Sequence, residues 1–126
     1  SKLINDGVLS QMDMGTLLDY CAIQLNGEKA GGKEAVININ FTDTKEKVML
    51  MLKNGVLNHR LGSQDKKADL TMEIAKMDFV KLFFGRTDLQ TLRKTNKVKT
   101  TGDTKAIDMI RSACEPADPN FNIVLP

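Results

Sequence analysis

At 126 residues the chain is long enough for one domain with one real core. Its 41% hydrophobic and 27% charged residues give an ordinary globular balance, and no apolar run approaches the length that spans a bilayer. A formal net charge of +2 is too weak to direct the chain to nucleic acid or to an anionic membrane.

Residues 1–11 read as a flexible N-terminal segment with no signal-peptide pattern. The missing initiator Met fits a processed product or an excised domain, and a soluble chain in the cytoplasm or periplasm is consistent with both. From Met14, the residues Leu17, Leu18, Cys21, Ala22 and Leu25 recur at helical steps, with Asp13 as N-cap and Asn26-Gly27 as the stop. A connector of small residues follows. Ile37, Ile39 and Phe41 then alternate with Asn38 and Asn40, which is the period of a strand with one dry face. Val48, Leu50 and Leu52 alternate with Met49 and Met51 in the same way, and Asn54-Gly55 predicts a tight hairpin into a third strand ending at Leu61.

Beyond a polar loop at 62–67, Leu70, Met72 and Ile74 mark a fourth strand. Lys76 to Phe84 is apolar nearly all round and predicts a short buried helix ended by Gly85. Thr87 to Leu92 reads as a second short helix capped by Thr87, and Lys97 to Thr101 as an edge strand. Asp103 then caps a last helix, whose Ala106, Ile107, Met109, Ile110, Ala113 and Cys114 face inward. The tail ends in a small apolar group, Ile123-Val124-Leu125, that docks. Together these elements predict an α+β fold with one five-stranded sheet, mixed or mainly antiparallel, covered by helices mainly on one face. Residues 12–126 make up its single domain.

A catalytic constellation is hard to find. His59 is the one histidine and sits in a strand between Leu57 and Leu61, where it reads as a packed strand residue. Cys21 and Cys114 read as two buried thiols, with a disulfide open only if their helices touch. No nucleophile elbow, phosphate loop or zinc-ligand spacing appears, so no cofactor and no metal is expected. The stretch from Arg86 to Lys99 is basic but lacks aromatic platforms for bases, leaving a solvated edge or a landing site for an anionic headgroup. Seven methionines are many for this length, and such flexible side chains fill either a plain core or an adaptable apolar cavity.

Several stretches carry a resemblance. Leu17-Leu18-Asp19-Tyr20-Cys21-Ala22-Ile23-Gln24-Leu25-Asn26-Gly27-Glu28-Lys29-Ala30 is similar to the opening helix of the C-terminal domain of bacterial alkyl sulfatases. Ile37-Asn38-Ile39-Asn40-Phe41-Thr42-Asp43-Thr44 resembles its first strand, Leu52-Lys53-Asn54-Gly55-Val56-Leu57-Asn58 its hairpin turn, and Ala68-Asp69-Leu70-Thr71-Met72 the strand after it. Gly102-Asp103 resembles the pair before the last helix in the wider sterol-carrier-protein-2-like fold. The resemblance implies an apolar tunnel between sheet and helices. It also implies an accessory role beside a zinc-binding, metallo-β-lactamase-like sulfatase domain, whose histidine-rich motif this chain lacks.

The expected function is noncatalytic binding of a hydrophobic small molecule or lipid: an alkyl sulfate, a fatty acid or a sterol-like ligand. The expected lining residues are Leu18, Leu25, Phe41, Met49, Met51, Phe79, Phe83, Phe84, Met109 and Ile110. Arg86, Arg93 and Lys97 are the candidates to meet a headgroup. The alternative is a structural or dimer-interface module with a filled core, and a homo-oligomer is compatible with either.

Overall fold

A computed structural model describes residues 4–115 and 123–124. Its strands are β1 (Ile4–Asn5), β2 (Ala35–Phe41), β3 (Lys47–Lys53), β4 (Val56–Leu61), β5 (Leu70–Ile74), β6 (Val98–Gly102) and β7 (Ile123–Val124). Its helices are α1 (Asp6–Gln11), α2 (Met14–Ile23), α3 (Gly27–Ala30), α4 (Lys76–Phe83), α5 (Leu89–Lys94) and α6 (Lys105–Ser112). The five-stranded sheet runs β4-β3-β2-β5-β6. Only the central β2–β5 pair is parallel; β2–β3, β3–β4 and β5–β6 are antiparallel. A parallel neighbour requires a crossover, so the chain must pass over β3 and β2 between β4 and β5.

The dry face follows from the alternation. The register stacks Leu50, Ile37 and Leu70 in one cross-strand row and Val48, Ile39 and Met72 in the next, all sealed from solvent. Against this face pack α2 over β4 and α6 over β2, while Phe79 of α4 meets Phe41 of β2 edge to face at 5.8 Å. Each such side chain stabilises the fold by roughly 1.5–3 kcal/mol through burial, which is why the chain closes on this side.

The opposite face is covered differently. Asn38 is only 7% exposed, and its carboxamide closes a pair of hydrogen bonds with the crossover. Asn38 Nδ2 donates to the Asp65 carbonyl (2.7 Å), and the Asp65 N–H donates to Asn38 Oδ1 (3.0 Å). Gln64 Nε2 adds bonds to Asn40 Oδ1 (3.1 Å) and to the Ile39 carbonyl (3.3 Å). The alternating asparagines of β2 therefore anchor the crossover strap. At its end, Asp69 exchanges bonds with Val36 (both 2.8 Å) and accepts from the Asp103 N–H (2.8 Å). Gly102 lies against this point with φ +106, and a Cβ there would sit 2.5 Å from the Asp69 carbonyl oxygen, so only glycine fits.

The structure differs from the sequence-based expectation at four places. Residues 6–11 form α1 instead of a flexible segment. Leu9 is wholly buried, and the ammonium of Lys76, itself buried, donates to the carbonyls of Ser10 and Met12 at the end of that helix. Asn26 does not simply stop α2, which ends at Ile23; its side chain caps the one-turn α3. The cap of α5 is Asp88 and not Thr87, because Asp88 is the extended residue whose carboxylate accepts the Thr91 N–H at 2.7 Å. Thr104 stands at the N-cap of α6, with Asp103 one residue earlier still accepting the Lys105 N–H at 2.9 Å. Elsewhere Asp13 caps α2 through the Thr16 N–H, Asn54 and Gly55 take φ +54 and +73 in the hairpin, and β6 is an edge. In the tail, β7 pairs in parallel with β1, while Leu125 lies outside the described residues.

Candidate functional site

Aromatic side chains form a continuous run across the helical layer. From Phe41 and Phe79 the run passes to Phe83 (6.1 Å from Phe79), to Phe84 (5.2 Å from Phe83) and to Tyr20 of α2 (5.8 Å from Phe84). The apolar, all-round character of α4 makes this possible: Phe79 and Phe83 point into the core, and Phe84 turns the last ring toward α2. Tyr20 and Phe84 are half-buried, so the run reaches the rim of the core.

The ten expected lining residues fall into three groups. Leu18, Phe41, Phe79, Phe83 and Ile110 belong to the sealed core, with exposures of 5% or less. Leu25, Phe84 and Met109 are half-buried and packed against it. Met49 and Met51 point from β3 to the far face, Met49 in the cross-strand row of Asn38, so the sheet separates them from the other eight.

The basic candidates also divide. Arg93 lines a cleft of about 650 Å³ between α5 and α6, together with Asp88, Leu89, Gln90, Lys94, Thr104, Asp108 and Arg111. Arg86 and Lys97 do not line it. Arg93 is held by its Nη2, which donates to Thr100 Oγ1 at 2.7 Å. Arg111 lies over Gly85, where a Cβ would come within 3.5 Å of its Nη2. The bond from the Thr91 N–H, with Lys94 and Arg111 adding attraction, holds the Asp88 carboxyl below its ordinary value. Sequence reasoning missed Lys94, Thr104, Asp108 and Arg111 as members of one site. The three-residue steps Gln90–Arg93 and Asp108–Arg111 place each pair on one helix face, but only packing turns those faces toward each other.

His59 packs beneath α2, with Nδ1 3.8 Å from Asp19 Oδ1, too far for a hydrogen bond. Both cysteines are free thiols. Burial pushes the Cys21 thiol far up and that of Cys114 up to about 11, so neither is a ready nucleophile. Among the described residues, no three His, Cys, Asp or Glu side chains converge as metal ligands, and no helix is long and apolar enough to cross a membrane.

Residues 2–126 match the family described as alkyl sulfatase C-terminal. The chain is 33% identical over 115 residues to a linear primary-alkylsulfatase of Pseudomonas sp., covering 91% of this chain and 17% of that protein. It is 37% identical over 108 residues to an (R)-specific secondary-alkylsulfatase of Pseudomonas sp., covering 86% of this chain and 16% of that protein. The chain therefore spans no more than 17% of the length of either relative. The solved structure of the stereoselective inverting sec-alkylsulfatase Pisa1 from Pseudomonas sp. superposes with a TM-score of 0.80 at 33% identity, over 93% of this chain and 18% of that one. The solution structure of palmitated SCP2L2 from Aedes aegypti shares the fold, with a TM-score of 0.56 at 16% identity over 82% of this chain and 99% of that one.

Proposed function

The chain belongs to the alkyl sulfatase C-terminal family, as the accessory domain and not the catalytic core of such an enzyme, and on that premise we propose that it binds an aliphatic chain. The ligand is an alkyl sulfate, a fatty acid or a related lipid, held between the sheet and its helices by residues 12–126 as one domain. In a complete enzyme the domain gathers or presents that chain to an attached metallo-β-lactamase-like sulfatase domain.

One observation carries this reading: the aromatic run from Phe41 through Phe79, Phe83 and Phe84 to Tyr20, which links the sealed core to a half-buried rim. Leu25 and Met109 add apolar surface packed on that core. A neighbour of the same fold is described as palmitated, in keeping with an acyl chain as occupant. Leu18 and Ile110 line the inner end on this reading, and Met49 and Met51 are left to the far face. Arg86, Arg93 and Lys97 on the basic stretch are the groups offered to a headgroup.

Native mass spectrometry with a ladder of alkyl sulfates below their micellar concentrations tests the proposal. The expected result is a one-to-one adduct whose affinity rises about fourfold per added methylene, the gain from burying each CH₂. Phe83→Ala and Phe84→Ala weaken it. No adduct under conditions where a known lipid carrier binds would overturn it. The second reading, a packing or dimer-interface module without a cavity, is favoured by the complete closure of Leu18, Phe79 and Ile110. It predicts an adduct-free chain.

A further inference from the structure

We infer that the cleft between α5 and α6 binds a sulfate-type oxyanion, either the free ion or the headgroup of an alkyl sulfate. Three cations line it: Arg93 and Lys94 from α5 and Arg111 from α6. Among the described residues none of the three lies within salt-bridge distance of a carboxylate, while Lys94 and Arg111 attract the Asp88 carboxylate from farther away. Two carboxylates share the cleft. Asp88 is engaged in capping α5 through the Thr91 N–H, and Asp108 stands one turn before Arg111 on the same helix without pairing to it. Three cations against two carboxylates leave the cleft with a net positive charge.

The donors are also arranged. The bond from Arg93 Nη2 to Thr100 Oγ1 fixes one edge of that guanidinium and leaves its other N–H groups for a ligand. Arg111 is half-buried and lies over Gly85, which gives it a narrower range than a solvated side chain. Thr104 makes no capping bond with its side chain, so its hydroxyl is free to donate into the cleft. Forked guanidinium donors match the oxygens of a sulfate or carboxylate two at a time. A volume of about 650 Å³ lies within the range of small-molecule sites. Of the expected headgroup residues, only Arg93 belongs to this cleft. Lys94 and Arg111 take the places that the sequence suggests for Arg86 and Lys97. The inference stands apart from the chain-binding reading, because a free oxyanion needs the cleft alone.

The test follows backbone amide shifts of the 126-residue chain during titration with sodium sulfate, with sodium chloride holding the ionic strength constant. The expected result is saturable shifts confined to residues 88–94 and 104–111. Arg111→Gln weakens the fitted affinity by about tenfold, the loss of one charge-assisted interaction, while Lys53→Gln, at the exposed end of β3 and away from the cleft, leaves it unchanged. If Arg111→Gln unfolds the chain, Arg93→Gln and Lys94→Gln make the same test from α5. A parallel arm uses decyl sulfate and decanol. Cleft shifts with sulfate alone identify the free ion as a ligand, and tighter cleft binding of decyl sulfate identifies a headgroup. Shifts that chloride reproduces, that persist in Arg93→Gln/Arg111→Gln, or that decanol causes equally would overturn the inference. Failure of decyl sulfate to outbind sulfate would count against chain binding and leave the oxyanion site standing.

Discussion

The two faces of the sheet are closed by different physics. On the near face, α2, α4 and α6 bury Ile37, Ile39, Leu50, Leu70 and Met72, so closure there is a matter of apolar area. On the far face, the crossover strap is held by the carboxamides of Asn38 and Gln64, so closure is a matter of donors meeting acceptors. Area is non-directional and tolerates repacking, whereas a paired amide tolerates almost no change of shape. The near face is therefore the one that tolerates repacking, and the far face is where the strand order is fixed.

Substitutions on each face sharpen this contrast. The largest effect is expected for Phe79→Ala, which removes the ring joining Phe41 to Phe83. It should destabilise the fold by about 3–5 kcal/mol in urea or thermal unfolding. A loss below about 1 kcal/mol would mean that the near face is loosely packed. Asn38→Ala should cost less, about 1–2 kcal/mol, by leaving the Asp65 amide and carbonyl without their partner. It should also raise hydrogen exchange in residues 62–69 selectively; uniform exchange would break the distinction between the faces.

The smallest effect concerns acid. The folded carboxyls of Asp13 and Asp88 lie below their ordinary value of 3.8, chiefly because each accepts a backbone N–H at a helix start. Their contribution to stability is complete above that ordinary value and is lost as the pH falls through the lower folded value. Asp88→Asn should therefore flatten the acid limb of a plot of melting temperature against pH and leave its shape at neutral pH unchanged. An unaltered acid limb would remove Asp88 from that account.

Much of this arrangement is legible from local pattern. Alternation in Ile37–Phe41, Val48–Leu52 and Leu70–Ile74, the Asn54-Gly55 turn, the edge pattern at 97–101, the helical steps from Met14 and from Ala106, and the apolar α4 mark the strands of the main sheet and its main covering helices, because each signal lies within one element. The N-terminal α1 was not legible. Its six residues carry little helical signal of their own, and it is held by Leu9 in the core and by Lys76, more than sixty positions away. The lining set was half legible for a related reason. Hydrophobicity marked Met49 and Leu18 alike, but strand parity put the methionine across the sheet.

The sequence by itself determined the dry face, the hairpin, the fold class and the family likeness, since these depend on residues close together in the chain. Tertiary structure decided which helix faces meet. Arg93 and Lys94 on one helix and Arg111 on another form one cleft only because the fold sets α5 and α6 on its two sides. It also decided that β2 and β5 run parallel, with the asparagines of β2 anchoring the crossover. The physical reason is the same in both cases: periodicity tells a side chain which way to point, and only long-range packing supplies what it points at.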